Sequence, residues 1–145
     1  MHYEGSFDVA ATKERVYSFM TDPRKVTTIF PDVQSVKIID EENFALRANV
    51  GISFIRGTMD VKGSIPEKEK PRMAKLRARG TGLSSAVDLE STFIIQDGEK
   101  GETQVSWAAD AKMSGMMASV GSRLIDSAVN RYVKQTIASL QKELS

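Results

Sequence analysis

The chain predicts an α+β fold: a curved seven-stranded antiparallel sheet around a long C-terminal helix, with two short helices after strand one. Three observations predict it. Between about residues 33 and 113, apolar and polar residues alternate in six successive runs, the period of strands with one buried face. From Gly115 to Leu144 the period becomes three or four, with Met117, Val120, Leu124, Ala128, Tyr132, Thr136 and Leu140 on one stripe and Ile125, Val129, Val133 and Ile137 widening it. The helical stretches lie at the ends of the strand run, which excludes alternating βαβ units. A helix of that span is roughly 40 Å long and needs a broad apolar surface beneath it.

Each element has its own local warrant. Tyr3, Gly5, Phe7 and Val9 alternate with His2, Glu4, Ser6 and Asp8, giving strand one over 2–9. Thr12 caps a helix through Met20 that buries Val16, Phe19 and Met20; Asp22-Pro23 opens a second helix as N-cap and N1, and Pro31 ends it. Val36 and Ile38, then Phe44, Leu46, Ala48, Val50, Ile52 and Phe54, flank a polar turn at Asp40–Asn43. The apolar parity then slips to Met59, Val61 and Ile65, so a bulge or bend is expected at Gly57.

The run IPEKEKP reads as a charged loop. After it, Ala74, Leu76 and Ala78 alternate with Lys75, Arg77 and Arg79, and Thr81-Gly82 reads as a two-residue turn. That turn sets Lys75 opposite Asp88, Leu76 opposite Val87 and Ala74 opposite Leu89. Leu83, Val87, Leu89, Phe93 and Ile95 form the next inward set, and Asp97-Gly98 opens a turn. In the last strand Trp107 shares parity with Val105, Ala109, Ala111 and Met113, so it is expected to face the helix.

Composition narrows the function. A length of 145 residues suits one domain, 1–145. Twenty basic against nineteen acidic residues, a formal charge of +1, give no field for nucleic acid. The absence of Cys removes disulfides, thiolate catalysis and Cys-ligated metals. No apolar run approaches 18 residues and the N-terminus does not resemble a signal peptide, so the expectation is a soluble, cytoplasmic protein without a transmembrane segment. His2 is the lone histidine and reads as a solvated surface residue, so neither a histidine-based nucleophile pair nor a zinc site can be assembled. The carboxylates are scattered over polar faces. No catalytic residue, metal or cofactor is expected, and the chain is read as a non-enzyme. Lys75, Arg77 and Arg79 form a basic row best explained by cross-strand charge pairs. Ser114, Gly115, Ala118, Ser119, Gly121 and Ser122 crowd the start of the long helical stretch, for which tight packing and an adjacent cavity stand as equal readings.

The segments YEGSFDVAATKERVYSFMTDP, VGISFIRGTMDV, the GTG run and WAADAKMSGMMASVGSRLIDSAV resemble the CoxG-like family, named for the G component of carbon monoxide dehydrogenase, within the START-like, or SRPBCC, helix-grip superfamily. The resemblance spans essentially the whole chain. Its most specific part is the run from Gly115 to Gly121, Ser122 and Arg123, after a strand ending in Asp-Ala. It implies a seven-stranded sheet gripping the C-terminal helix around a cavity for an apolar ligand. It further implies an accessory role beside a CO-dehydrogenase-type molybdenum hydroxylase, with peripheral membrane contact.

The expected function is therefore non-covalent binding of a lipophilic small molecule, quinone- or isoprenoid-like. The expected cavity draws Phe54, Met59, Leu76, Leu89, Phe93, Trp107 and Met113 from the sheet. Met116, Met117, Val120, Gly121 and Leu124 come from the helix, and the entrance lies beside Met113 to Leu124. The rival readings are a cyclase or hydrolase using cavity carboxylates, marked by an inward Asp or Glu, and a protein-docking adaptor, marked by a broad exposed apolar patch.

Overall fold

The alternating runs become one sheet. The computed structural model describes residues 1–145 and contains β1 (His2–Val9), α1 (Lys13–Met20), α2 (Pro23–Val26), β2 (Val33–Ile38), β3 (Asn43–Ile52), β4 (Ile55–Glu69), β5 (Met73–Gly82), β6 (Ser85–Asp97), β7 (Thr103–Gly115), a 3₁₀ turn (Met116–Ser119) and α3 (Ser122–Leu144). The strand order is β1-β7-β6-β5-β4-β3-β2 and every pairing is antiparallel. The two short helices start where capping chemistry places them: Thr12 Oγ1 accepts from the Arg15 N–H at 3.2 Å, and Asp22 Oδ1 accepts from the Arg24 N–H at 2.9 Å. α2 ends at Val26, well before Pro31.

Three local expectations are corrected. The β5–β6 turn is Leu83-Ser84, both at positive φ (54° and 53°), so Ala74 lies opposite Phe93, Lys75 opposite Thr92 and Leu76 opposite Ser91. Gly82 serves close approach instead of the turn: a side chain there would come within 3.0 Å of the Thr58 carbonyl oxygen on β4. An even shift in register keeps every side chain on its expected face. The basic row still finds cross-strand acids, with Lys75 to Glu67 at 3.1 Å, Arg77 to Glu90 at 3.4 Å and Arg79 to Asp88 at 2.7 Å. These pairs are largely exposed, so each contributes at most about 1 kcal/mol.

The parity slip near Gly57 comes from a hairpin turn at Ser53-Phe54, and the β3–β4 register runs unbroken through Val50 opposite Gly57. The irregularity in β4 lies between Ser64 and Glu67, and the strand continues to Glu69 through the expected loop. Pro66, which has no N–H for a ladder, falls inside that irregularity.

The long helical stretch is also divided. β7 runs to Gly115 (φ 76°, ψ −148°), and a 3₁₀ turn and Gly121 (φ 96°, ψ 149°) precede α3. Both backbones lie where only glycine is comfortable, and there the helix period of the sequence is interrupted. α3 itself has 23 residues, about 34 Å.

On the outer sheet face, His2 is more than solvated. Its Nδ1 lies 2.8 Å from Asp110 and its Nε2 lies 3.2 Å from Glu4, tying edge strand β1 to β7. The hydrogen bond to Asp110, then that to Glu4, raise its pKa above 6.5. The folded chain thus holds this proton more tightly than the unfolded one. The stabilisation is complete below the unfolded pKa and disappears as pH rises through the higher folded pKa. Melting curves between pH 5 and 9 are expected to show a small loss across that window in the wild type that His2→Gln lacks; identical slopes would exclude a linked His2.

Candidate functional site

Register fixes which side chains face α3. The inward positions are Tyr3, Gly5, Phe7 and Val9 on β1; Thr103, Val105, Trp107, Ala109, Ala111 and Met113 on β7; and Val87, Leu89, Ser91, Phe93 and Ile95 on β6. Ala74, Leu76, Ala78 and Gly80 on β5 continue the face toward Val61 and Gly63 on β4. None of these is an acid. His2, Asp88, Glu90 and Asp110 are all on the outer face, where an open depression is lined by Lys62, Arg77, Arg79 and Lys112 together with acids. That charged surface does not suit an apolar ligand.

The inward face does not form one continuous core. One buried cluster joins α1, α2 and the end of α3 to the sheet through Val16, Phe19, Met20, Ile95, Val105, Leu140 and Leu144. A second comprises Phe44, Leu46, Ile65 and Leu76, and Phe93 packs against both. A third, at the opposite end, joins Ile55, Met59, Met117 and Ile125, with Met113, Val120 and Val129 against it. Between these clusters the sheet presents small side chains, Ala78, Ser91, Ala109 and Ala111, beside half-buried Leu89 and Trp107.

α3 matches this break. Its fully buried residues are Ile125 and Ala128 near one end and Leu140 and Leu144 at the other, while Val129, Tyr132, Val133, Thr136 and Ile137 in the middle are only half-buried. The helix is held at its two ends and spans a hollow between them. Two polar ties hold it along β1: Tyr3 donates its hydroxyl proton to Asp126 Oδ1 at 2.7 Å, and Gln141 Nε2 donates to the Asp8 carbonyl at 2.9 Å. Burial, then the Asp126 hydrogen bond, push the Tyr3 pKa up to about 12, so this donor stays protonated at any physiological pH.

The expected cavity residues divide accordingly. Leu89 and Trp107 border the hollow, and Leu76 and Phe93 close one flank in their clusters. Met59, Met113, Met117 and Val120 belong to the cluster at the other end. Phe54, Met116 and Leu124 are 64%, 44% and 48% exposed, and a side chain at Gly121 would meet nothing within 4 Å, so these four lie outside on the tip. The residues that sequence reasoning missed are Ala78, Ser91 and Ala109 on the sheet and Tyr132 and Val133 on the helix. Their signal was the set of small residues at inward parity on three neighbouring strands.

Three segments meet at that tip. Met116 N–H donates to the Ser84 carbonyl at 3.0 Å, Met117 N–H donates to Ser85 Oγ at 2.8 Å, and Leu83 packs over Gly57. Segments 51–58, 81–86 and 114–124 carry only two charges, Arg56 and Arg123, both exposed, and no carboxylate.

No group of His, Cys, Asp and Glu is arranged to hold a metal ion. No helix is long and apolar enough to cross a membrane.

Solved structures with this architecture include a conserved protein from Geobacillus kaustophilus, with TM-score 0.90, 22% identity, and coverage of 99% of this chain and 95% of that one. The Zhui aromatase/cyclase from Streptomyces sp. R1128 is similar at TM-score 0.69 and 17% identity over 99% of this chain and 93% of that one. A START superfamily protein from Mycobacterium smegmatis is similar at TM-score 0.69 and 12% identity over 99% and 96%. No curated protein matches in sequence. The architecture is the START-like helix-grip fold, a ligand-binding fold. Residues 5–145 match the model of the carbon monoxide dehydrogenase CoxG family, and the chain belongs to that family.

Proposed function

We propose that the chain binds a lipophilic small molecule, quinone- or isoprenoid-like, in the hollow beneath the middle of α3, and that it does so without transforming it. The observation that carries this reading is a helix buried at both ends and only half-buried over its central turns, above a patch of alanines and serine. Ligand sites of this kind are mostly apolar with a few placed polar groups. At about 25 cal/mol per Å², burying roughly 300 Å² of apolar ligand supplies about 7 kcal/mol before the cost of association. The lack of inward carboxylates favours binding over cyclase or hydrolase chemistry. Family membership supports an accessory role beside a CO-dehydrogenase-type molybdenum hydroxylase. The exposed Phe54, Met116 and Leu124, with Arg56 and Arg123 and no acid, make the tip a surface for peripheral contact with an anionic membrane, through which the ligand enters.

Vesicles of anionic lipid carrying decyl-benzoquinone test both parts, with Trp107, the one tryptophan, as reporter. Emission is expected to fall on mixing, and protein separated from the vesicles is expected to retain quinone. Phe54→Ser is expected to slow transfer severalfold at unchanged melting temperature. Unchanged emission with no quinone recovered would exclude the binding reading, and equal transfer rates would exclude entry at the tip.

A further inference from the structure

We propose, resting on the binding reading above, that Trp107 Nε1 and the Tyr132 hydroxyl form a pair of donors that recognises an acceptor oxygen, such as a carbonyl, on the head of the lipophilic ligand. The inference comes from accounting for every polar side chain that faces the hollow. On the inward positions of β1, β6 and β7 these are Tyr3, Ser91, Thr103 and Trp107, and on helix turns 129–137 they are Tyr132 and Thr136. Four are satisfied within the protein. Tyr3 donates to Asp126 at 2.7 Å, Ser91 Oγ to the Ala108 carbonyl at 3.2 Å, Thr103 Oγ1 to the Ala11 carbonyl at 2.5 Å and Thr136 Oγ1 to the Tyr132 carbonyl at 2.8 Å. Trp107 and Tyr132 remain. No buried polar atom of the chain lacks a partner, so these two groups are reached by solvent at the border of the hollow.

The two are brought to the same level. Trp107 lies opposite Gly5, and its ring occupies the room a side chain would take there: a Cβ on Gly5 would be 3.1 Å from Trp107 Nε1. Gly5 is exposed, so the indole N–H edge sits at the gap between β1 and α3. The helix runs alongside β1 from the Asp126–Tyr3 tie to the Gln141–Asp8 tie. Interpolating between those ties sets Tyr132 beside Gly5. Tyr132 is also at the centre of the inward stripe, one turn from Ala128 and one from Thr136. The Arg131 guanidinium, 5.6 Å from the Tyr132 ring centre, adds a cation at this gap, and the nearby carboxylate, Asp126, is occupied by Tyr3. An apolar body therefore fits the alanine-lined hollow while its oxygen-bearing head meets unpaired donors at the opening. An amphipathic ligand of this kind leaves neither donor desolvated without a partner.

The test is a ligand pair: decyl-benzoquinone, which carries carbonyl acceptors, and decylbenzene, which does not. Binding to the full chain is measured by displacement of an environment-sensitive dye, independent of tryptophan emission. Trp107→Phe and Tyr132→Phe keep the ring and remove the polar group. Each is expected to weaken decyl-benzoquinone three- to tenfold and to leave decylbenzene unchanged, with the double variant weaker than either single one. Variants that weaken both probes equally, or neither, overturn the donor pair while the hollow stands. If neither probe binds the wild-type chain, the binding reading itself fails and the inference falls with it.

Discussion

Gly115→Ala is expected to destabilise the fold by about 3–5 kcal/mol, lowering the melting temperature by roughly 10 °C or more. Gly115 joins β7 to the 3₁₀ turn at φ 76° and ψ −148°, a conformation that costs any other residue about 1–3 kcal/mol. A methyl group there would also fall deep inside the contact distance of the Ser84 carbonyl oxygen, a backbone atom that cannot rotate away. The same carbonyl accepts the Met116 N–H, so displacing it loosens the link that leads into α3. Gly121→Ala is the control: its φ of 96° is equally unsuited to alanine, but nothing lies within 4 Å of the added atom. It is expected to lose only the dihedral part. Calorimetric melting of both variants decides the matter, and equal losses would remove the Ser84 contact from the explanation.

Ala78→Phe is expected to abolish ligand uptake, by at least thirtyfold in affinity, while changing stability by less than about 1 kcal/mol. Ala78 lies between Gly63 on β4 and Leu89 on β6, and Leu89 in turn faces Ala111 on β7, so this row offers one large side chain among small ones. A ring placed there enters the space assigned to the ligand. If the space were instead filled by protein, the ring would overpack the core and destabilise the chain by about 1–3 kcal/mol. Thermal unfolding and probe displacement on the same variant separate these outcomes. A stable protein with normal affinity would place the ligand elsewhere.

How much of this was legible in the sequence follows from what each signal depends on. Alternation and helical period are local, and they determined seven strands, the two capped helices and the side of the sheet on which Trp107, Leu89 and Phe93 lie. They also survived the two-residue error in the β5–β6 turn, because an even shift does not exchange faces. The turn itself was misplaced because Gly80-Thr81-Gly82 looks like turn chemistry. Gly82 is a glycine because of Thr58, a residue on another strand.

The site was less legible for the same reason. The small residues between Ser114 and Ser122 do not border a cavity. Gly115 and Gly121 are hinge positions on the way to the helix, and Met116 and Leu124 stand exposed at the tip. The hollow arises where Ala78, Ser91, Ala109 and Ala111, far apart in the chain, come side by side through strand pairing beneath the central turns of α3. Sequence by itself determined which residues point inward, since period and capping are properties of neighbours along the chain. Only the tertiary structure decided where the inward side chains are too small to meet the helix, because an unfilled volume belongs to residues from several elements at once and leaves no periodic mark in any one of them.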